Sequence, residues 1–362
     1  MEDIKMNRHE KALEMIAKGI VIPATPLAVH EDKTLDEKGL RLLMNYYLDC
    51  GVGGIATAVH TTQFEIRKPE FAMFEPVLRI VSEEIDKYEA ATGKTIVRIA
   101  AACGEKEQAV SEARLAKKYG FDAVLLSPGG LAHLNEEELL ERARAVAAEM
   151  PVVGFYLQIA AGGRLLSYDF WRELCEIDNV IAIKCAPFNR YQTADVVRAV
   201  ANSSRADQIA LYTGNDDNIV IDLLTTYRFS VNGKTVEKGF VGGLLGHWSV
   251  WTRRVVEMFE EIQKAKKAEM ISPAMLALAA EVTDVNGVFF DANNGFAGCI
   301  AGLHQVLCKQ GLMKNLVCLD DAQKLSPGQA EEIERVYREY PHLSDDDFVA
   351  QNLETWKKRV GL

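Results

Sequence analysis

The sequence predicts an α/β protein, a (β/α)8 TIM-type barrel with additional C-terminal helices. Short apolar stretches recur eight times, at 20–26, 53–59, 96–102, 123–127, 152–157, 180–184, 209–213 and 240–245. Segments of helical period lie between and after them, including 36–49, 71–88, 105–119, 136–149, 168–176, 194–201, 216–227 and 250–267. Apolar strands alternating with helices imply a parallel sheet covered on both faces, and eight units suit a closed barrel. The competing architecture is an open doubly wound sheet, whose mark is a glycine-rich GxGxxG turn after the first strand. Here Leu27-Ala28-Val29-His30 follows that strand, with no glycine.

Three regions are expected. Residues 1–18 form an N-terminal helical extension, with Ala12, Leu13, Ile16 and Ala17 on one side. This stretch lacks the long apolar centre of a secretory signal. Residues 19–267 form the barrel, and Asn232-Gly233 between β-type residues predicts an inserted hairpin near 228–238. Residues 268–362 form a helical region packed on the barrel. Its helices are expected near 275–281, 298–310 and 328–338, with an ordered loop at 285–295.

The 362 residues carry a formal net charge of -11 and are 48% hydrophobic, enough for a sizeable core. Such acidity argues against nucleic acid or an anionic membrane as a partner. No apolar run is long enough to span a bilayer, and a cytoplasmic location is expected. The 7 cysteines include no CxxC pair, which favours reduced thiols over a zinc site. No cofactor and no metal are expected.

Lys184 is the leading candidate for chemistry. By strand alternation Val180, Ala182 and Lys184 share one face, so the lysine points into the barrel at its C-terminal end. A lysine titrates near pH 10.4, and bringing it to about 7 takes roughly 4–5 kcal/mol of ammonium destabilisation. An apolar pocket can supply that, and the neutral amine then attacks carbonyls. The plainer alternative is a lysine reaching from a strand end to water. Tyr156 shares a face with Val152 and Gly154 and ends the neighbouring strand at a similar height. A phenol there can shuttle a proton; a core tyrosine bonded at the rim is the alternative. Thr61 and Thr62 stand at a strand-to-helix turn, where hydroxyls and backbone N–H groups can hold a carboxylate or merely cap a helix. His60 beside them can act near neutral pH or sit on the rim. His133 and His247 are weaker candidates for the distal part of a substrate. Asn215, Asp216 and Asp217 read as helix caps, Asp284-Val285-Asn286-Gly287 as a turn, and Cys185 as core.

Taken together these motifs resemble the dihydrodipicolinate synthase / N-acetylneuraminate lyase family. Tyr156 in Gly-Phe-Tyr, followed 28 residues later by Lys184 in Ile-Ala-Ile-Lys, is similar to the family's tyrosine and Schiff-base lysine. Thr61-Thr62 resembles its threonine pair, the opening at 19–26 its first strand, and Thr213-Gly214-Asn215-Asp216-Asp217 its Gly-Asp-Asp segment. The resemblance covers roughly residues 19–265. It implies a carbon–carbon or carbon–oxygen lyase, an aldolase or dehydratase, acting on pyruvate or a 2-keto(-3-deoxy) acid. Lys184 and Tyr156 would be catalytic, and Thr61, Thr62, His60 and Arg164 would bind substrate. A homodimer or homotetramer is implied.

The sequence also departs from the family. Gln63-Phe64 stands where Gly-Glu is usual, and Gly129-Gly130 where the synthases carry an aromatic pair. Ala161 replaces the arginine that binds the synthases' second substrate, and only a differently bent loop lets Arg164 substitute. These departures argue against dihydrodipicolinate synthesis and leave imine formation intact. Other readings remain: a non-catalytic keto-acid sensor, and a metal-dependent barrel lyase, for which the histidines are scattered.

Overall fold

The computed structural model describes residues 6–362. The first five residues of the expected N-terminal extension lie outside that range. Ten strands follow in chain order: β1 (Val21–Pro23), β2 (Gly54–Thr57), β3 (Val97–Ala102), β4 (Ala123–Leu126), β5 (Val152–Leu157), β6 (Val180–Ala186), β7 (Ala210–Thr213), β8 (Tyr227–Val231), β9 (Lys234–Lys238) and β10 (Gly242–Leu245). Eight of them form one parallel sheet in the order β1-β10-β7-β6-β5-β4-β3-β2. A parallel bridge between Ala24 and Ala56 brings the first and last strands together, and the Thr25 N–H donates to the Ala56 carbonyl at 2.9 Å. The eight apolar stretches of the sequence are these eight strands.

Among the described residues thirteen α-helices accompany them: α1 (Arg8–Lys18), α2 (Glu37–Cys50), α3 (Phe74–Thr92), α4 (Lys106–Lys118), α5 (Glu136–Ala147), α6 (Tyr168–Cys175), α7 (Arg190–Ala201), α8 (Ile219–Leu224), α9 (Thr252–Lys266), α10 (Pro273–Phe289), α11 (Cys299–Lys309), α12 (Gln329–Glu339) and α13 (Asp346–Val360). The core has two layers, as a barrel requires. Small and medium side chains such as Ala56, Ile99, Leu125, Val153, Ala182 and Leu244 fill its interior. A larger shell between strands and helices includes Tyr46, Tyr47, Trp171, Trp248 and Trp356.

Helix α1 presents Ala12 and Ile16 to the interior layer, while Leu13 is half-buried and Ala17 is exposed. Tyr212 in β7 donates its hydroxyl to the Ile16 carbonyl at 2.8 Å. The expected hairpin is present as β8 and β9. Asn232 and Gly233 both have positive φ, 51° and 77°, the geometry of a two-residue turn that matches strand twist.

The tail differs from expectation in two places. Residues 285–289 belong to α10, because Val285 and Phe289 lie one turn apart and are fully buried. Helix α13 was not anticipated from periodicity. It is anchored by Trp356, whose indole N–H donates to Asp49 at 2.8 Å and whose ring meets Tyr46 edge-on at 5.7 Å. Helix α8 is shorter than its predicted span, because β8 begins at Tyr227.

Candidate active site

The C-terminal ends of the barrel strands surround a cavity of about 90 Å³. This volume exceeds several-fold the roughly 10–15 Å³ that one water needs on the same measure. Lys184 lies in it at the end of β6, only 8% exposed, with its Nζ 4.3 Å from the centroid of the Phe155 ring. Among the described residues it forms no ion pair. Burial lowers its pKa to about 8, against the pull of the negative Asp216. Gly214 makes room for the side chain: a Cβ there would stand 2.5 Å from Lys184 Cε.

Asp216 also lines the cavity and is 5% exposed. Its Oδ1 accepts the backbone N–H of His247 at 3.1 Å, and no other hydrogen bond to its carboxylate occurs among the described residues. Burial pushes the carboxyl up to about 7, with Lys184 opposing. Sequence reading assigned this residue to a helix cap. Asn218 holds that position instead, and Asn215 is fully buried, bonded to Thr193, Asp222 and the Phe188 N–H.

His60 and Thr61 join Lys184 in the cavity. Burial, and then the Lys184 charge, hold the His60 pKa down at about 4, so its imidazole is neutral at pH 7. The Thr61 and Thr62 hydroxyls both donate to the end of the first strand, Thr61 to the Ala24 carbonyl and Thr62 to the Thr25 carbonyl, each at 2.7 Å. They tie the turn after β2 to β1. Thr62 does not line the cavity.

Tyr156 is a correction. It lies on the outer face of β5, 2% exposed, with its ring 4.9 Å from Trp171 and its hydroxyl accepting the Leu166 N–H at 3.4 Å. The cause is a register shift between β5 and β6. Val152 pairs with Val180, and an unbroken ladder from there would set Tyr156 against Lys184. Instead Val153 pairs with Ala182, leaving Ile181 over, so Phe155 pairs with Lys184 and Tyr156 with Cys185. One extra residue exchanges the faces.

Arg164 is a second correction. Its guanidinium donates to the Leu134 carbonyl, and it does not line the cavity. His133 is exposed against Glu105, and His247 is buried against Phe289, both outside the cavity lining. Among the described residues no group of three His, Cys, Asp or Glu side chains forms a candidate metal site.

The tail contributes what sequence reading missed. Phe290, Phe296, Cys299 and Gln323 line the cavity beside Phe188 of the loop after β6. Gln63, in a positive-φ conformation at 66°, accepts the Leu319 N–H with its side-chain carbonyl at 2.6 Å, tying the tail to the turn that carries His60 and Thr61.

Comparison with known proteins agrees with this architecture. The Dihydrodipicolinate synthetase family matches residues 17–236. A 4-hydroxy-tetrahydrodipicolinate synthase from Methanosphaerula palustris is 27% identical over 207 residues, 56% of this chain and 66% of the relative. An N-acetylneuraminate lyase from Escherichia coli is 26% identical over 197 residues, covering 54% and 61%. The matched stretch is thus about two-thirds or less of these relatives' length. Among solved structures, dihydrodipicolinate synthase from Oceanobacillus iheyensis superposes with a TM-score of 0.71 at 17% identity, covering 91% of this chain and 99% of the other. N-acetylneuraminate lyase from Fusobacterium nucleatum, in a structure complexed with pyruvate, gives 0.68 at 16%, covering 90% and 98%. At such identities the superpositions speak to the fold. With the match over residues 17–236, more than half its length, this chain belongs to the dihydrodipicolinate synthetase family.

Proposed function

We propose that this protein is a Schiff-base lyase that cleaves or dehydrates a 2-keto acid through an imine on Lys184. The observation that carries this reading is a buried lysine, without an ion pair among the described residues, at the C-terminal end of a barrel strand, with its pKa lowered to about 8. Lowering the pKa enlarges the neutral fraction at pH 7 beyond the less than about a thousandth of a free lysine. The neutral amine adds to the C2 carbonyl, forming a C–N bond. Protonation of the resulting hydroxyl releases water and leaves a cationic imine. That imine draws the electron pair of a bond to C3, either C3–H or C3–C4.

These steps need a group that gives and takes a proton. Tyr156 lies outside the cavity, and Asp216 is the carboxyl inside it. Burial raises the Asp216 carboxyl towards the neutral range, so both its acid and its carboxylate form are accessible there, which suits an acid–base group. The acid form protonates the departing hydroxyl, and the carboxylate formed then accepts the C3 proton or, when C3–C4 breaks, the proton of the C4 hydroxyl as it becomes a carbonyl. His60, neutral, offers one ring N–H to the keto-acid carboxylate. A homo-oligomer and a cytoplasmic setting are part of the same reading, through the family.

Exchange of the pyruvate methyl protons in D2O, followed by NMR, tests this without a second substrate. Wild-type protein should catalyse the exchange and Lys184→Ala should not. Absence of exchange with wild type would leave the sensor reading in its place.

A further inference from the structure

We infer that the cavity carries a distal subsite for an uncharged, flat apolar group, an aryl substituent at C4 of the keto acid. The inference rests on the Schiff-base reading above, which fixes the keto-acid end at Lys184. Four phenylalanines line the same cavity: Phe155, Phe188, Phe290 and Phe296. They come from β5, from the loop after β6, and from two places in the tail, so no single amphipathic element brings them together.

Two of them are held in place against their backbone preference. Phe188 has φ 53° and Phe296 has φ 69°, a conformation that bulky residues avoid. Such strain persists where surrounding structure imposes it. Their rings meet edge-to-face, with centroids 5.7 Å apart and planes at 74°. The pair therefore joins the barrel to the tail within the cavity wall. Phe290 enters through a gap left by a glycine: a Cβ on Gly246 would lie 2.9 Å from Phe290 Cζ and 3.1 Å from Thr61 Cγ2.

Charge points the same way. Lys184 is the only Lys or Arg lining the cavity among the described residues, and its cationic imine serves the keto-acid end. Asp216 would repel a second carboxylate. A polyhydroxylated chain needs a polar partner for each hydroxyl, whereas much of this wall is phenylalanine, alanine and leucine. The amides of Gln158 and Gln323 suffice for the one oxygen at C4 that an aldol adduct carries.

Calorimetric titration tests the subsite with three ligands: 2-oxo-4-phenylbutanoate, 2-oxobutanoate and 2-keto-3-deoxygluconate. The phenyl compound should bind wild-type protein at least about tenfold more tightly than either of the others. Phe296→Gly removes one ring and relieves its backbone strain. It should weaken the phenyl compound by about 3- to 10-fold and 2-oxobutanoate by less, in a protein whose circular dichroism is unchanged. Equal or tighter binding of the sugar acid to wild type would overturn the proposal, and that comparison depends on no variant. Borohydride reduction of the same mixtures reports imine formation separately. A phenyl preference without a reduced adduct would keep the subsite and sink the Schiff base.

Discussion

Phe155 stands level with Lys184 across the β5–β6 ladder, its ring centroid 4.3 Å from the lysine Nζ. The aromatic ring that shields the amine is thus the neighbour of the tyrosine whose spacing suggested a catalytic role. An aromatic face desolvates the site, and it also attracts a cation, so it tolerates both protonation states of the lysine.

Tyr156 should therefore be dispensable for chemistry. Tyr156→Phe removes one 3.4 Å hydrogen bond and keeps the packing on Trp171. It should cost less than about 1.5 kcal/mol in denaturant unfolding. Pyruvate methyl exchange should stay within about threefold of wild type, where loss of an acid–base group costs about 100-fold or more. A hundredfold loss in a folded variant would return the tyrosine to the mechanism.

Asp216→Asn should lower the exchange rate by about 100-fold or more. It should also remove the limb of the pH–rate profile near 7 that this carboxyl supplies. The negative Asp216 raises the Lys184 pKa, so its loss should let the lysine deprotonate at lower pH. Imine formation, read by reductive trapping, should then persist to more acidic conditions while turnover falls. A variant with an unchanged rate profile would contradict the assignment.

Stability should carry the mark of both groups. Lys184 titrates at about 8 folded and near 10.4 unfolded, so the unfolded chain binds more protons between those values. Its contribution to stability therefore rises with pH across that window, and below about 8 the buried ammonium is a net cost. Asp216 titrates at about 7 folded and near 3.9 unfolded, so its contribution falls as pH climbs from about 4 to 7. Lys184→Met removes the buried ammonium and also the charge that opposes Asp216, so any Tm gain over wild type should accordingly shrink as pH goes from 8 towards 10. A gain that grows with pH would contradict the depressed lysine pKa.

Gly214→Ala tests the space around the amine. The added methyl would stand 2.5 Å from Lys184 Cε, so the lysine must move. Reductive trapping with pyruvate should slow markedly in a protein whose circular dichroism is unchanged. An unaffected rate would mean that the lysine reaches the carbonyl by another path.

The barrel was legible in the sequence because buried parallel strands are apolar runs, and all eight lie where those runs are. The hairpin was legible because Asn232-Gly233 suits one turn geometry. Lys184 was legible because a lysine among Val180, Ile181, Ala182 and Ile183 is out of place in a core strand. Tyr156 misled because alternation fixes which residues share a face, but not which face is inside. The spare residue at Ile181 has no local signature. Asp216 carried a readable signal, a carboxylate just past a strand end, and was given to capping. Phe290, Phe296 and Gln323 had none, since only the folded tail brings them to the barrel mouth. Arg164 failed because a loop arginine can satisfy a backbone carbonyl as readily as a substrate.

Borohydride reduction in the presence of pyruvate, read by intact-mass and peptide mass spectrometry, tests the central claim most directly. The account predicts one pyruvyl adduct per chain, located on Lys184 and absent from Lys184→Ala. A folded sample that gains no adduct from pyruvate or from longer 2-keto acids, or gains it on another lysine, would contradict it.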